Sequence, residues 1–130
     1  MAATINLQLC ADCHCLAARR NAREITRLFD ERLRPHGLRT TQFSVLALLA
    51  LGGGASVNRV ADALGVERTT LTRSTTILER RGWVKSDASD DARVRPLRLT
   101  ESGKRKLVSA YPAWKAAQDF VGERFGGRPA

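Results

Sequence analysis

The sequence has 130 residues, of which 43% are hydrophobic and 27% charged, and its formal net charge is +9. This length accommodates one ordinary domain and excludes two independent cores, while the composition is typical of a globular protein. The longest apolar stretch, residues 43–51, is too short to span a bilayer, and the N-terminus lacks the layout of a signal peptide. We therefore expect a cytoplasmic protein without membrane attachment.

The positive charge is concentrated in the middle of the chain. Between Arg59 and Lys106 the sequence has 12 Lys/Arg residues against 7 Asp/Glu residues, so this segment carries +5 of the net +9. A field of this sign favours polyanionic partners, of which nucleic acid is the usual one. The central segment is the expected location of a surface that faces phosphates.

The N-terminal third is expected to contain a short arm and two helices. Residues 1–12 show no clear period, whereas apolar residues three and four apart predict a helix over 13–33 that ends before Pro35 and Gly37. A second helix is predicted over 41–51. This second helix is apolar nearly all round, which places it in the core.

Two shorter helices follow in the basic segment. A third helix is predicted to start at residue 56 or 57 and to end at Gly65, and a fourth is predicted over 68–81 with Gly82 after it. The two helices are separated by only a few residues, as in a helix-turn-helix.

The last third is expected to form a ribbon and one long helix. Two strand-like runs, 83–87 and 94–100, are separated by a polar turn and predict a two-stranded ribbon. Pro96 lacks an N–H group, which favours an edge position. A final helix is predicted over 101–125, with a kink at Pro112. The expected fold is mainly α with a small two-stranded β wing, that is, a winged helix-turn-helix.

The turn at Gly65 has the residues that a helix-turn-helix requires. Ala61 is small enough for the contact between the two helices, and Gly65 can adopt a positive φ without a Cβ clash. Apolar residues on both sides of the turn can hold the helices together, namely Val60, Leu64, Val66 and Leu71. An ordinary helical hairpin would have the same apolar residues, so the next helix decides between the two interpretations.

The fourth helix is unusually rich in threonine and arginine. Threonine is a mediocre helix former, so this composition is costly in a helix that serves only as scaffold. Leu71, Thr75 and Leu78 share the predicted inward face. The candidate DNA-binding residues of this helix are Arg68, Thr69, Thr70, Thr72, Arg73 and Thr76. Hydroxyls and guanidinium groups bind phosphates and base edges in the major groove; the alternative is a solvated polar face.

The tip of the ribbon contributes three further candidates, Asp91, Arg93 and Arg95. An arginine at the end of a wing can enter the adjacent minor groove, where the negative potential is concentrated. Asp91 is spaced to pair with Arg93 and to fix its direction. The alternative is a loose surface ion pair that contributes under about 1 kcal/mol.

Several motifs together resemble the MarR (multiple antibiotic resistance regulator) family over roughly residues 13–125. The resemblance is carried by five runs, Thr41–Leu46 (TQFSVL), Val60–Gly65 (VADALG), Leu78–Val84 (LERRGWV), Asp91–Arg93 (DAR) and Leu97–Gly103 (LRLTESG). It implies a single MarR-like domain over 1–130, with dimerisation helices at 13–35 and 101–125 around a DNA-binding lobe at 40–100.

The resemblance also implies partners. It implies a homodimer, usually a repressor, whose recognition helices occupy successive major grooves of a palindromic operator in double-stranded DNA, and a small aromatic effector bound between the dimer helices and the DNA-binding lobe. Two departures lie in the wing, where Ala92 replaces a common second arginine and Pro96 interrupts the return strand. Family members usually have a further C-terminal helix after the one that corresponds to 101–125, so a less stable dimer is expected.

The three cysteines, Cys10, Cys13 and Cys15, lie within six residues of each other. An odd number at this spacing excludes the disulfide framework of a secreted protein. The C-x-x-C spacing suits zinc or thiol redox chemistry, but the sequence has no second ligand pair, so we expect neither a metal nor another cofactor. Small apolar thiols at the head of the dimer helix are the favoured interpretation, with oxidation sensing as the alternative.

These patterns predict a sequence-specific DNA-binding transcription regulator, a repressor relieved by a small ligand or by oxidation. A winged-helix scaffold for protein contacts and a dedicated cysteine-based redox sensor are the alternatives. An enzyme is not expected, because the sequence has only two histidines and no Ser/His/Asp set, paired-carboxylate cleft or glycine-rich phosphate loop.

Overall fold

The computed structural model describes residues 4–87 and 96–126. Within these ranges a helical scaffold surrounds one small antiparallel sheet, which confirms the winged helix-turn-helix fold. The elements are, in chain order, α1 (Leu7–Ala11), α2 (His14–Leu33), a 3₁₀ turn (Arg34–His36), α3 (Thr40–Gly52), β1 (Ala55–Ser56), α4 (Val57–Leu64), α5 (Arg68–Arg80), β2 (Val84–Ser86), β3 (Pro96–Leu99) and α6 (Glu101–Phe125). None of the described helices has both the length and the hydropathy that crossing a membrane requires.

Helix α3 is the centre of the core, as its apolar composition predicts. Phe43, Val45, Leu46 and Leu49 are all buried, and α3 packs against α4, α5, β3 and α6. A helix that is apolar on every side is stable only when other elements cover every side. The position of α3 therefore determines where the surrounding helices lie.

The two long helices α2 and α6 pack against each other beside this core. Phe29 and Leu33 of α2 are buried, as are the small residues Ala110 and Ala117 of α6. Trp114 of α6 stacks on Phe43 of the core, with ring centroids 5.5 Å apart and ring planes 11° apart. This aromatic contact joins the α2–α6 pair to α3.

The N-terminal arm differs from the prediction. No regular structure was predicted for residues 1–12, but part of this segment is helical. Residues Leu7–Ala11 form the helix α1, and the Asn6 side chain caps it by accepting a hydrogen bond from the Leu9 N–H at 3.0 Å. A helix of five residues is too short to show a hydrophobic period, and its stability depends on the cap and on its surroundings.

The sheet also differs from the prediction, because it has a third strand. Strands β2 and β3 pair antiparallel as the wing requires, with Val84 opposite Leu99. The two-residue strand β1 pairs with the other side of β3, so the sheet has three strands in the order β1-β3-β2. The predicted two-stranded wing is confirmed as β2 and β3, whereas the predicted edge position of Pro96 was wrong, because β1 makes β3 the central strand. Pro96 is tolerated as the first residue of that strand, where its carbonyl accepts the Asp87 N–H at 2.8 Å.

Helix α6 crosses the end of the wing at Gly103, and this close approach can be tested. A Cβ atom at Gly103 would lie 2.1 Å from the Trp83 carbonyl oxygen and 2.7 Å from the Leu99 Cδ1. Since one of these neighbours is backbone, Gly103→Ala has to push α6 away from the sheet. We expect the free energy of unfolding to fall by about 2–3 kcal/mol, measured by urea denaturation at a fixed protein concentration.

Gly122 in the same helix provides the matched control. A Cβ atom at this position would meet nothing within 4 Å. Alanine is the better helix former, so Gly122→Ala is expected to raise the free energy of unfolding by about 0.5–1 kcal/mol. Equal effects of the two substitutions would contradict the close packing at Gly103.

Candidate nucleic-acid interface

The turn between α4 and α5 has the geometry predicted for a helix-turn-helix. Gly65 has a φ of +66°, and the turn is closed by two hydrogen bonds, from the Gly65 N–H to the Asp62 carbonyl at 3.2 Å and from the Val66 N–H to the Ala61 carbonyl at 3.1 Å. This pair of bonds is the Schellman arrangement, which ends a helix and redirects the chain within two residues. It sets the angle at which α5 leaves α4.

Ser56 connects the helix-turn-helix to the sheet. Its backbone pairs with Pro96 in β3, while its side-chain oxygen accepts the Arg59 N–H at 3.2 Å and caps α4. One residue thus ends β1 and starts α4. The wing and the first helix of the helix-turn-helix are therefore held in one arrangement.

Helix α5 has one buried face and one exposed face. Leu71, Thr75 and Leu78 are buried, which confirms the predicted inward face and fixes the rotation of the helix about its axis. The six predicted DNA-binding residues of this helix are all exposed, namely Arg68, Thr69, Thr70, Thr72, Arg73 and Thr76. The exposed face combines two arginines with four threonine hydroxyls.

Three threonines of α5, Thr72, Thr75 and Thr76, use their hydroxyl protons within the helix. Thr72 donates to the Arg68 carbonyl at 2.9 Å, and Thr76 donates to the Thr72 carbonyl at 2.8 Å. Such bonds satisfy the hydroxyl one turn back along the helix, which helps to accommodate β-branched residues there. The hydroxyl oxygens keep lone pairs, so they are suited to accept hydrogen bonds from base amino groups.

Side-chain contacts join the two strands at the base of the wing to each other and join the wing to α5. The Arg98 Nε and Nη2 atoms lie 3.0 and 2.9 Å from the Asp87 Oδ1, and the Ser86 hydroxyl donates to the Glu79 carboxylate of α5 at 2.6 Å. These contacts hold the wing beside the end of α5. The predicted tip residues Asp91, Arg93 and Arg95 lie outside the described residues.

Comparisons with known proteins identify this architecture. A family model described as "MarR family" matches residues 36–93. The M. tuberculosis transcriptional regulator MosR, in a crystal structure with DNA, is 40% identical, with a TM-score of 0.75 over 85% of this chain and 81% of that chain. This chain belongs to the MarR family. The transcriptional repressor CouR, bound to a 23-mer DNA duplex, is 26% identical to it, with a TM-score of 0.76 over 95% of this chain and 89% of that chain.

Curated MarR-type relatives match a shorter segment. The uncharacterized HTH-type transcriptional regulator YwoH of Bacillus subtilis is 35% identical over 86 residues, which are 66% of this chain and 63% of that protein. The transcriptional repressor MprA of Escherichia coli K12 is 36% identical over 83 residues, which are 62% of this chain and 47% of that protein. The chain thus matches about half to two thirds of the length of these relatives.

A pocket of about 940 Å³ separates α2 of this MarR-family chain from the C-terminal end of α5. Five arginines line it, namely Arg23, Arg27, Arg34, Arg39 and Arg81. Its one carboxylate, Asp30, accepts the Thr40 N–H at 2.7 Å and caps α3. Arg27 is already paired with Glu31, and the other four arginines give the pocket a basic lining that suits an anionic ligand. Sequence reasoning missed the pocket because α2 and the turn after it supply only part of the lining, and Arg39 and Arg81 join that part only in the folded chain.

The three cysteines lie around the junction of α1 and α2. Cys10 and Cys15 are exposed, Cys13 is half-buried, and all three are free thiols. Two of them are thus accessible to solvent in the protomer. Within the residues that the structure describes, no three His, Cys, Asp or Glu side chains are grouped so that they could hold a metal ion.

The left-handed turn at Gly65 predicts that the wild-type protein is the most stable, followed by Gly65→Asn and then by Gly65→Ala. A Cβ atom at Gly65 would meet nothing within 4 Å, so the cost of a side chain there comes from the positive φ alone. We expect Gly65→Ala to lower the free energy of unfolding by about 1 kcal/mol. Gly65→Asn is expected to cost less than half as much, because asparagine tolerates this conformation. Urea denaturation of both variants measures the difference, and equal costs would contradict the assigned turn.

Proposed function

We propose that this MarR-family protein is a homodimeric transcription regulator that binds a palindromic operator in double-stranded DNA, with one α5 helix in each of two successive major grooves. The exposed arginine and threonine face of α5, directly after the helix-turn-helix turn, carries this proposal. The DNA-bound structures of the relatives MosR and CouR support it. MprA and CouR are both repressors, which favours repression here.

The proposed roles of the site residues follow from their chemistry. Arg68 and Arg73 can each present two parallel N–H donors to the O6 and N7 atoms of a guanine. Hydroxyls reach phosphates or base edges, and this role is proposed for Thr69, Thr70, Thr72 and Thr76. On the wing, we assign Arg93 and Arg95 to the minor groove, with Asp91 orienting Arg93.

A second copy of the chain is the proposed partner for the surface around α1, α2 and α6. This surface exposes large apolar side chains, namely Ile5, Leu7, Leu9, Leu16, Val108, Tyr111 and Phe120. Apolar clusters of this kind on a protein surface mark association sites. Dimerisation through the segments 13–35 and 101–125 would cover Leu16, Val108, Tyr111 and Phe120, and it would place the two α5 helices about 34 Å apart, one turn of DNA.

The basic pocket is the proposed effector site. Its arginines favour a small aromatic effector that carries a carboxylate, because guanidinium and carboxylate groups bind through paired hydrogen bonds. Since the pocket lies between α2 and the end of α5, a ligand there contacts both the proposed dimerisation helix and the proposed recognition helix. Binding could then lower the affinity for DNA if the ligand favours a different separation of the two helices.

Oxidation is the alternative input, favoured by the exposure of Cys10 and Cys15. Hydrogen peroxide oxidises two thiols to a disulfide and is itself reduced to two molecules of water, and an accessible thiol pair is the usual requirement. A disulfide at the junction of α1 and α2 would alter the proposed dimer surface.

Site selection from a random pool of DNA duplexes tests the function and the site residues together. We expect the wild-type protein to enrich a palindrome and to bind it with a steep dependence on salt. Arg73→Ala should relax the preference at one base pair per half-site by about 1–3 kcal/mol, because it removes a bidentate base contact. Arg93→Ala should weaken binding to most sequences without changing the consensus.

Arg80→Ala is the matched control for this experiment, since it removes the same charge at the exposed C-terminal end of α5. It should preserve the consensus. A purified dimer that binds no duplex even in dilute salt would refute the proposed function and would favour a winged-helix scaffold for protein contacts.

Gel shifts on the selected operator distinguish regulation by a small ligand in the basic pocket from regulation by oxidation of the cysteines. Benzoate, as a simple aromatic carboxylate, is expected to raise the Kd of the reduced protein for DNA by about tenfold, and Arg34→Ala is expected to remove this response. The neutral analogue benzamide controls for the carboxylate. If peroxide weakens binding instead, and Cys10→Ser or Cys15→Ser abolishes that effect, the cysteines are the sensor and the pocket is not.

A further inference from the structure

A single side chain joins the C-terminal end of α5 to the turn that follows α2. Arg81 comes directly after the last residue of α5, and its Nη1 atom donates a hydrogen bond to the carbonyl of Gly37. The same guanidinium lines the basic pocket. Because this pocket is an opening between α2 and the end of α5, close side-chain packing does not set their separation at that point. A long side chain that bonds across the opening can set it.

The turn at Gly37 is shaped to receive this guanidinium. Gly37 has a φ of +70°, and the turn is closed by the Gly37 N–H on the Arg34 carbonyl at 2.9 Å and by the Leu38 N–H on the Leu33 carbonyl at 3.4 Å. A Cβ atom at Gly37 would lie 2.9 Å from the Arg81 Nη1. The missing side chain therefore permits both the left-handed turn and the approach of Arg81.

The backbone that carries Arg81 lies in the turn that ends α5. The end of α5 is closed by the Gly82 N–H on the Glu79 carbonyl and by the Trp83 N–H on the Leu78 carbonyl, both at 3.0 Å. The Arg81 Cζ lies 5.2 Å from the centroid of the Trp83 ring, and the Lys106 Nζ lies 5.1 Å from the same centroid. The indole thus contacts the guanidinium as well as a cation of α6, which restricts the directions that Arg81 can take.

We propose that Arg81 is a positioning residue that sets the separation of the two recognition helices in the dimer, and thereby the half-site spacing of the operator. The inference rests on the proposed function, in which α2 belongs to the dimer surface and α5 reads the DNA. Arg81 links the end of α2 to the end of α5, so a change in this link moves α5 relative to its symmetry-related copy. Its role is exerted through α5 and not through a base contact.

The test compares the operator spacings that are selected by wild-type protein, Arg81→Met, Arg81→Lys and Arg80→Met from a random pool of duplexes. Methionine keeps an unbranched stem beside Trp83 and removes every donor. We expect the wild-type protein and Arg80→Met to enrich one half-site spacing. Arg81→Met should enrich the same half-site sequence at several neighbouring spacings, with about fivefold weaker binding to the wild-type operator. Arg81→Lys, which keeps a cation and a donor, should be intermediate.

The outcomes distinguish this inference from the proposed function. If the wild-type protein enriches no palindrome, the proposed function fails. If it enriches one spacing and Arg81→Met keeps that spacing, the positioning role of Arg81 is refuted while the function stands. A spacing kept by Arg81→Met, with the slope of log K against log salt reduced by about one, would instead identify Arg81 as a phosphate contact. Thermal melting checks that each variant is folded. If Arg81→Met does not fold, Arg81→Lys takes its place in the comparison.

Discussion

The burial of α3 is the constraint on which the rest of the structure depends. Phe43, Val45, Leu46 and Leu49 are each at most 3% exposed, and this helix is packed by α2, α4, α5, β3 and α6. Because tightly packed apolar surfaces tolerate little displacement, this packing restricts the position of each neighbour of α3. When Leu71 of α5 packs into this core, the arginines and threonines on the opposite face of α5 are turned to solvent.

The two ends of α5 are held by different kinds of interaction. Near its start, the helix is fixed by the Gly65 turn and by the apolar contacts of its inner face. Near its end, Leu78 is still buried in the core, and polar contacts are added between Glu79 and Ser86 of the wing and between Arg81 and Gly37. Exposed polar contacts contribute less stability than buried apolar ones and can exchange with water or ligands. The polar contacts at the C-terminal end of α5 are therefore the ones that a ligand in the basic pocket could exchange at least cost.

Most of the elements could be predicted from the sequence, but α1 and β1 could not. The helix predicted over 13–33 spans His14–Leu33, and the one predicted over 68–81 spans Arg68–Arg80. Apolar residues repeat often enough in these helices to reveal the buried face. Helix α1 and strand β1 are too short to show any period. The exposed face of α5 was predictable as a consequence of its buried one, whereas the basic pocket was not, because its arginines are brought together only by the packing of α2, α3 and α5.

The sequence by itself determined the local structure of this protein: where the helices begin and end, which face of α5 is buried, and that Gly65 makes the turn before it. Only the tertiary structure decided that β3 is the central strand and that Arg81 reaches Gly37, 44 positions away along the chain. The physical reason is that a periodic pattern records which side of an element is buried but not what covers it. Contacts between distant residues depend on how all the elements pack together, and no single segment of the chain contains that information.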